Sequence, residues 1–427
     1  MKHSIKHLLG GALLLALPLF LTSCDDILGE WSKPAPAVVT PEPETPVKLT
    51  SITLNKPSTT LNVGTTETLK VDAFAPDDAT DKSVTWSSDK DAVATVDENG
   101  LVTAVAVGTA VITATAKDGS GVTDKCTVTV SVPGLLTGEF SVADGKKVRF
   151  AQGNLQAKTE DLGVSWTWTL ATNQWDYVGN VAANNKIIGN GTVSANGTVD
   201  LFCWVGASNT TWSGALGSTL NAAMYGITEI GDGTSYYSTT TNDYGNVVSE
   251  NLKSDWGNTI GTGWRTLTHN EWKWLVGPHT SPTPGTNCRT SSTIAGTPSA
   301  RFAKAYLFGT THGIIIFPDN YTHPDGVTAP TGINQADGTS WNENTYTAEQ
   351  WAKMEAEGCV FLPAAGRRKT PYQGVGLVND EIRYWSSTAS GNTHAYYLEI
   401  TSGGMNSINS ELTRAMGISV RLVYPAQ

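Results

Sequence analysis

Charged residues make up only 16% of the 427-residue chain, whereas about 25% is usual for a globular protein. Positive charge is in particular deficit, since 28 Lys and Arg stand against 39 Asp and Glu and give a formal net charge of −11. Binding to nucleic acid requires a cationic surface that displaces phosphate counterions, so nucleic acid is excluded as an expected partner. Glycine and tryptophan are frequent, with 43 and 14 residues. This composition favours a β-rich extracytoplasmic protein over a helical cytosolic enzyme.

Cysteine is scarce, and no two cysteines stand in a C-x-x-C pair. A zinc ribbon or a thioredoxin-type redox site is therefore unsupported. The spacings assign no disulfide, and we expect none to be essential. The cysteines are Cys24, Cys126, Cys203, Cys288 and Cys359.

An apolar run at residues 8–21 follows two lysines, Lys2 and Lys6. About 20 apolar residues are needed to span a bilayer, and Pro18 interrupts this shorter run. A basic start, a short apolar region and small residues before a cleavage point are typical of a secretory signal. Residues 1–23 are therefore predicted to be a cleaved leader.

The tetrapeptide Leu21-Thr22-Ser23-Cys24 resembles the lipobox of bacterial lipoproteins. That resemblance implies that Cys24 carries acyl chains, which makes the membrane a partner through a lipid anchor. Asp25 and Asp26 follow and resemble the export signal of Bacteroidetes-type surface lipoproteins, which implies a surface-exposed place on the outer membrane. An ordinary leader with a chance cysteine is the alternative. Residues 24–46 are rich in proline and are predicted to form an extended linker.

Residues 47–133 alternate between apolar and polar side chains in short runs that Gly, Asn and Asp separate. Such spacing predicts an antiparallel sandwich, and Asn99-Gly100 predicts a hairpin turn within it. Trp86-Ser87-Ser88, followed by VATVDENGLVTAVAVGTAVITATA at 93–116, resembles the bacterial Ig-like group 2 domain. The resemblance implies a stalk or spacer, and Trp86 is interpreted as a buried sandwich residue.

Residues 134–427 are predicted to form one elaborate domain, the head. Two helices are expected after Thr268 and Thr347, because each threonine is followed three residues later by Glu or Gln in capping-box spacing. Gly358 is expected to end the second helix.

Ordered motifs in the head resemble the Fibrobacter succinogenes major paralogous domain. That family has the C-type-lectin fold shared with formylglycine-generating enzymes and with the variable proteins of diversity-generating retroelements. The predicted fold class is therefore mainly β: an Ig-like β-sandwich followed by a C-type-lectin-like α+β head. The motifs include VRFAQGNLQ at 148–156, GWRTLTHNEWKWL at 263–275, GIIIFPDNY at 313–321, YWSST at 384–388 and GISVRLV at 417–423.

The formylglycine-type relatives oxidise cysteine with a copper-binding cysteine pair near the end of the fold, and this chain has no cysteine after Cys359. The histidines of the head are dispersed and form no H-x-x-x-H pair, and no G-x-S-x-G elbow is present. We therefore expect no enzyme activity, cofactor or metal. Trp341-Asn342-Glu343, with Asp337 before it, weakly resembles the Trp-Asn-Asp strand of calcium-binding lectins. Calcium binding at this segment is therefore a less favoured alternative.

In the lectin-fold variable proteins the ligand face lies between the Trp-Ser-Ser strand and the final Val-Arg strand, which here corresponds to residues 389–416. Alternation places Tyr396, Leu398 and Ile400 on one face, read as core, and Tyr397 with Glu399 on the other. Asn and Ser offer adaptable hydrogen bonds, and Met repacks easily. The residues predicted to bind ligand are Asn392, His394, Tyr397, Glu399, Thr401, Met405, Ser407, Asn409, Glu411 and Arg414.

Together these features predict a surface-anchored, non-enzymatic lipoprotein that binds an extracellular glycan or protein through its head. A structural subunit of a fimbria-like or other surface assembly is the alternative, and a cryptic formylglycine-type enzyme is a third hypothesis that the missing cysteine pair disfavours. The fold hosts both catalysts and binders, so function has to be argued from the site.

The lipid anchor gives the first test. Cys24→Ser removes the only thiol available to the lipobox, so we expect it to abolish incorporation of labelled palmitate and to shift the protein from the membrane fraction to the soluble fraction. Cys126→Ser is the matched control and should stay labelled; a labelled Cys24→Ser chain would contradict the prediction.

Overall fold

The computed structural model describes residues 45–161, 166–179, 185, 188–189, 192–193, 196–202, 204, 255–277, 288–335, 337–368, 375–390, 394–404, 411–413 and 416–426. The predicted leader, the Cys24 anchor and almost all of the predicted linker lie outside these ranges. Within them, no helix is both long and apolar enough to cross a membrane.

The first unit consists of short strands, as the alternation predicts. One sheet has the order β2-β9-β8-β5, a second has β3-β7-β6, and β1 pairs with β4. Every second side chain of β8 and β9 is buried, and these side chains meet in a single apolar core. The strands are β1 Ser51–Leu54, β2 Ser58–Asn62, β3 Thr66–Thr68, β4 Val71–Ala75, β5 Val84–Ser88, β6 Ala94–Val96, β7 Leu101–Ala104, β8 Gly108–Ala116 and β9 Thr123–Ser131.

The predicted hairpin turn joins β6 to β7, but only Gly100 has a positive φ (+79°). The Asp97 carboxylate accepts hydrogen bonds from the backbone N–H groups of Asn99 (2.9 Å) and Leu101 (2.8 Å). An aspartate that binds its own backbone in this way fixes the turn, so Asn99 does not need the left-handed conformation. Trp86 packs partly buried against the core, and a Cβ on Gly100 would come within 3.0 Å of its ring.

The head is also mainly β, with two α-helices among the residues that the structure describes. The principal sheets have the orders β10-β11-β27-β17, β20-β18-β19-β21 and β24-β25-β26. The strands are β10 Phe140–Ala143, β11 Lys146–Phe150, β12 Leu155–Thr159, β13 Thr167–Leu170, β14 Ile188–Gly189, β15 Thr192–Val193, β16 Gly197–Val199, β17 Arg265–Thr266, β18 Phe302–Leu307, β19 Thr311–Ile316, β20 Thr345–Tyr346, β21 Val360–Pro363, β22 Arg367–Arg368, β23 Val375–Gly376, β24 Glu381–Ser390, β25 His394–Thr401, β26 Glu411–Thr413 and β27 Leu422–Ala426.

Both predicted helices are confirmed. Helix α1 spans His269–Val276 and helix α2 spans Ala348–Ala356, and each begins with a complete capping box on its threonine. Gly358 follows α2 with φ +87°, a conformation that favours glycine, so the chain turns there as predicted. Helix α1 buries Trp272 and Leu275 in the same core as the inner face of β25.

Two local expectations were wrong. The sequence Thr310-Thr311-His312-Gly313 predicts a turn, but the turn lies at Phe308–Thr310 and His312 is within β19. The segment Trp341–Glu343, likened to a lectin strand, is a 3-10 helix that Ser340 caps.

Trp385 and Arg421 lie inside the ordered motifs and not between them, so the sequence predicts that both belong to the scaffold. Arg421 is fully buried and joins three segments. Its guanidinium donates to the carbonyl oxygens of Ala151 (3.0 Å), Gln174 (2.9 Å) and Phe361 (2.9 Å). Trp385 is likewise fully buried.

The capping box of α2 gives a test of local stability. Thr347→Ala removes the hydroxyl that accepts the Gln350 N–H, so we expect the free energy of unfolding of the head to fall by about 1 kcal/mol. Glu349→Ala is the matched control on the same helix; its exposed ion pair with Lys353 is worth about 0.5 kcal/mol or less. Urea unfolding followed by tryptophan fluorescence measures both, and equal losses would contradict the assignment.

Candidate functional site

The structure places part of the predicted ligand-binding set. His394, Tyr397, Glu399 and Thr401 lie on β25, and Glu411 is placed as the first residue of β26. The remaining predicted site residues lie outside the described ranges; they are Asn392, Met405, Ser407, Asn409 and Arg414.

β25 is the middle strand of its sheet, with the long strand β24 on one side and β26 on the other. Leu398 and Ile400 enter the core shared with α1, as predicted. Register with β24 shifts between Trp385 and Ala389, where the pairing is irregular. Such a bulge bends a strand and redirects its side chains.

The opposite face of β25 was expected to point outward, and this was wrong: Tyr397 is 4% exposed and Glu399 is 5% exposed. Sequence alternation alone does not distinguish a solvated face from a second buried one. The other side of this sheet is covered by a second apolar core that includes Trp204, Trp385 and Tyr397, so both faces are inside the head.

A buried ionic network occupies the Glu399 end of this face. The Arg383 guanidinium forms ion pairs with Glu399 and with Glu381 (2.7 Å to Glu381) and donates to the Tyr397 hydroxyl at 3.3 Å. The Tyr397 hydroxyl donates in turn to Glu399 at 3.1 Å, and Arg367 lies 3.4 Å from Glu381. Two guanidinium groups thus balance two carboxylates.

Burial raises the pKa of Glu399, and the neighbouring Arg383 charge opposes that shift. A buried carboxylate without its cation is costly, so the network is stable only as a complete set. Because Arg383 is on β24 and Glu399 on β25, the network ties the two long strands together across the sheet.

Side chains near the two ends of β25 are more exposed. His394, Tyr396 and Thr401 are all partly exposed, and the Tyr396 ring lies parallel to the His269 ring of α1 with centroids 4.0 Å apart and planes 2° apart. We call these two rings the His269–Tyr396 platform. The sequence interpretation missed it: Tyr396 was assigned to the core from its alternation, and His269 to the helix cap.

A buried lysine ammonium contacts the segment that was compared with calcium-binding lectins. Lys304, 1% exposed, donates through its ammonium to the carbonyl oxygens of Thr339 (3.1 Å) and Ser402 (3.4 Å). The ammonium also lies 4.9 Å over the Trp341 ring, and burial lowers the pKa of this lysine while Asp337 opposes the shift. Glu343 bonds instead to Thr331.

The described residues contain no cluster of three or more His, Cys, Asp or Glu side chains fit to hold a metal. Cys126, Cys288 and Cys359 are buried free thiols, and burial raises the pKa of Cys126 and of Cys359, which disfavours a reactive thiolate. A cleft of about 260 Å³ includes Glu139 and Glu357 in its lining, with no residue from the β24–β26 sheet.

Comparison with known families identifies the first unit. The model of the Bacterial Ig-like domain (group 2) matches residues 48–130, which confirms the resemblance predicted from Trp86-Ser87-Ser88 and the repeat that follows. The mainly β character of the chain is confirmed as well. The chain therefore contains an Ig-like domain of the kind found in bacteria.

Curated relatives share this short segment. An uncharacterized protein of Clostridium acetobutylicum is 46% identical over 85 residues, which cover 20% of this chain and 9% of that protein. A lacto-N-biosidase of Bifidobacterium bifidum is 50% identical over 76 residues, 17% of this chain and 7% of the enzyme. Each match thus covers less than a tenth of the relative, and the match to the lacto-N-biosidase is confined to a short Ig-like segment.

Among solved structures, domains 4 and 5 of the S-layer protein SbsC align with 21% of this chain and 54% of that structure, at 24% identity and a TM-score of 0.18. A TM-score of this size carries no argument about the fold or the function of this chain.

The buried network predicts that replacing Arg383 lowers the free energy of unfolding much more than replacing Arg367. Arg383→Met leaves Glu399 buried without its cation, so we expect the free energy of unfolding of the head to fall by about 3–5 kcal/mol. Arg367→Met, the matched control at the more exposed arginine, should cost about 1 kcal/mol or less. Adding Glu399→Gln to Arg383→Met should recover part of the loss, as measured by urea unfolding; a double variant less stable than Arg383→Met would contradict the charge argument.

Proposed function

We propose that this protein is a non-enzymatic lipoprotein of the cell envelope, exposed on the outer membrane through a lipid anchor at Cys24. The Ig-like domain acts as a stalk, and the head binds an extracellular glycan or protein through the segment 389–416. The lectin-like fold predicted for the head belongs to this proposal.

The construction of the β24–β26 sheet is the observation that carries it. Arg383 and Glu399 form a buried ion pair that fixes β24 and β25 inside the head, whereas His394, Tyr396 and Thr401, near the two ends of β25, are partly exposed. A rigid scaffold that presents polar and aromatic groups at its surface suits recognition, because little conformational freedom is lost when a ligand binds.

Two further observations support a binding role over an enzymatic one. The free thiols of the described part are buried. Burial raises the pKa of the carboxyl groups of Asp200 and Asp255, and both accept hydrogen bonds from backbone N–H groups. The glycosidases among the relatives share only the Ig-like segment, so their named activities lend this chain no catalytic assignment.

The test is a binding screen. The soluble chain from Ser32 onward is applied to glycan arrays and to arrays of host-surface proteins, in parallel with a variant whose residues 405–410, before β26, are replaced by Gly and Ser. We expect binding by the first and its loss in the second, with circular dichroism and melting temperature unchanged.

A matched control replaces the exposed residues Glu98 and Asn99 of the Ig-like hairpin by Ser, and this variant should keep its binding. No binding by any form, together with concentration-dependent assembly in analytical ultracentrifugation, would overturn the proposal in favour of a structural subunit.

A further inference from the structure

We propose that the His269–Tyr396 platform is a carbohydrate-binding subsite for an uncharged pyranose ring. This inference deepens the proposed function and rests on it, because it names a ligand class for the head. The residues that carry it come from two distant parts of the chain, and only His394 beside them belongs to the site predicted from sequence.

Hydrogen bonds fix the backbone at both residues of the platform. The backbone N–H of His269 donates to the Thr388 hydroxyl at 2.9 Å, and the Ser386 hydroxyl donates to the Tyr396 carbonyl oxygen at 2.7 Å. The Ser387 N–H donates to the Leu267 carbonyl oxygen at 2.8 Å, just before α1. The irregular part of β24 therefore joins the start of α1 to β25, and the backbone positions from which the two rings project are fixed by the fold.

Both side chains of the platform remain partly exposed despite this fixing. Farther along the same face of β25, Leu398 and Ile400 are fully buried. Tyr396 thus stands where the core ends and solvent begins. Aromatic rings are favoured at such positions in binding sites because they supply rigid, apolar contact area together with a polar group.

The chemistry of the platform fits a sugar ring. A pyranose has a face of C–H groups, which suits an aromatic surface, and a rim of hydroxyl groups that need hydrogen-bond partners. His394 lies two residues before Tyr396 and so projects from the same side of the strand.

Charge and size favour an uncharged sugar over anionic ligands and over a protein partner. The net charge of −11 repels anionic ligands at long range. A protein partner requires about 800 Å² of surface on each side, far more than two stacked rings provide.

A second His–Tyr pair in the head supplies a matched control. Tyr306 and His312 contact each other with ring centroids 4.5 Å apart, but their planes are tilted by 53°. Both His312 nitrogens are engaged, with the Asn379 carbonyl oxygen at 2.6 Å and the Asn342 side-chain oxygen at 3.1 Å, and the Tyr306 hydroxyl donates to the Gly309 carbonyl oxygen. This pair is tied into the protein and should not respond to sugar.

The experiment uses the chain from Ser32 with tyrosine rings labelled with ¹³C, titrated with methyl α-mannopyranoside, methyl β-galactopyranoside and N-acetylglucosamine in turn. We expect one of these sugars to shift the ring resonance of Tyr396, which Tyr396→Phe identifies by its disappearance, and to leave that of Tyr306 in place. Since Tyr396→Phe keeps the ring, it should bind the sugar within about threefold of the unmodified chain, whereas Tyr396→Ala should bind at least about tenfold more weakly. Tyr306→Ala should bind unchanged.

The outcomes separate this inference from the proposed function. Sugar binding that survives in Tyr396→Ala, or shifts that spare Tyr396, would overturn the subsite while leaving the head a binding module. Binding only to proteins, lost on replacement of residues 405–410, would also overturn the subsite alone. Binding to neither sugars nor proteins would overturn both.

Discussion

Buried cations that meet backbone carbonyl oxygens hold the segments of the head together. Arg421 joins three segments in this way, and Lys304 joins the segment before Trp341 to the turn after β25. Arg289, 1% exposed, donates to the carbonyl oxygens of Leu275, Arg301 and Phe317 and forms an ion pair with Asp319. A buried charge without partners costs several kcal/mol, so each of these contacts requires all of its segments to be correctly placed.

This constraint explains how a chain with so little charge specifies an elaborate domain. Short strands and long irregular connections cannot define one arrangement through apolar burial alone, because apolar contacts have no direction. A guanidinium with five donors in a fixed plane does have direction. The same reasoning applies to the site, where the ion pair of Arg383 and Glu399 aligns β24 with β25. His394 and Tyr396 lie near the start of β25, away from this ion pair.

The two units differ in how far local sequence decides their structure. In the Ig-like unit, alternation predicted the strands and Gly100 predicted the turn, because each strand there has one buried and one solvated face. In the head, the capping boxes at Thr268 and Thr347 predicted the starts of both helices correctly, since a capping box is made within four residues. Alternation was less informative on β25, because apolar cores lie on both sides of the strand.

The sequence by itself determined the mainly β class, the Ig-like unit, the two helix starts and the buried positions of Trp385 and Arg421, since all of these depend on local patterns or specific motifs. Only the tertiary structure decided that Tyr397 and Glu399 are interior residues and that His269 lies against Tyr396. These two rings are 127 positions apart in the chain. No local pattern encodes their meeting, which results from the packing of α1 across the β24–β26 sheet.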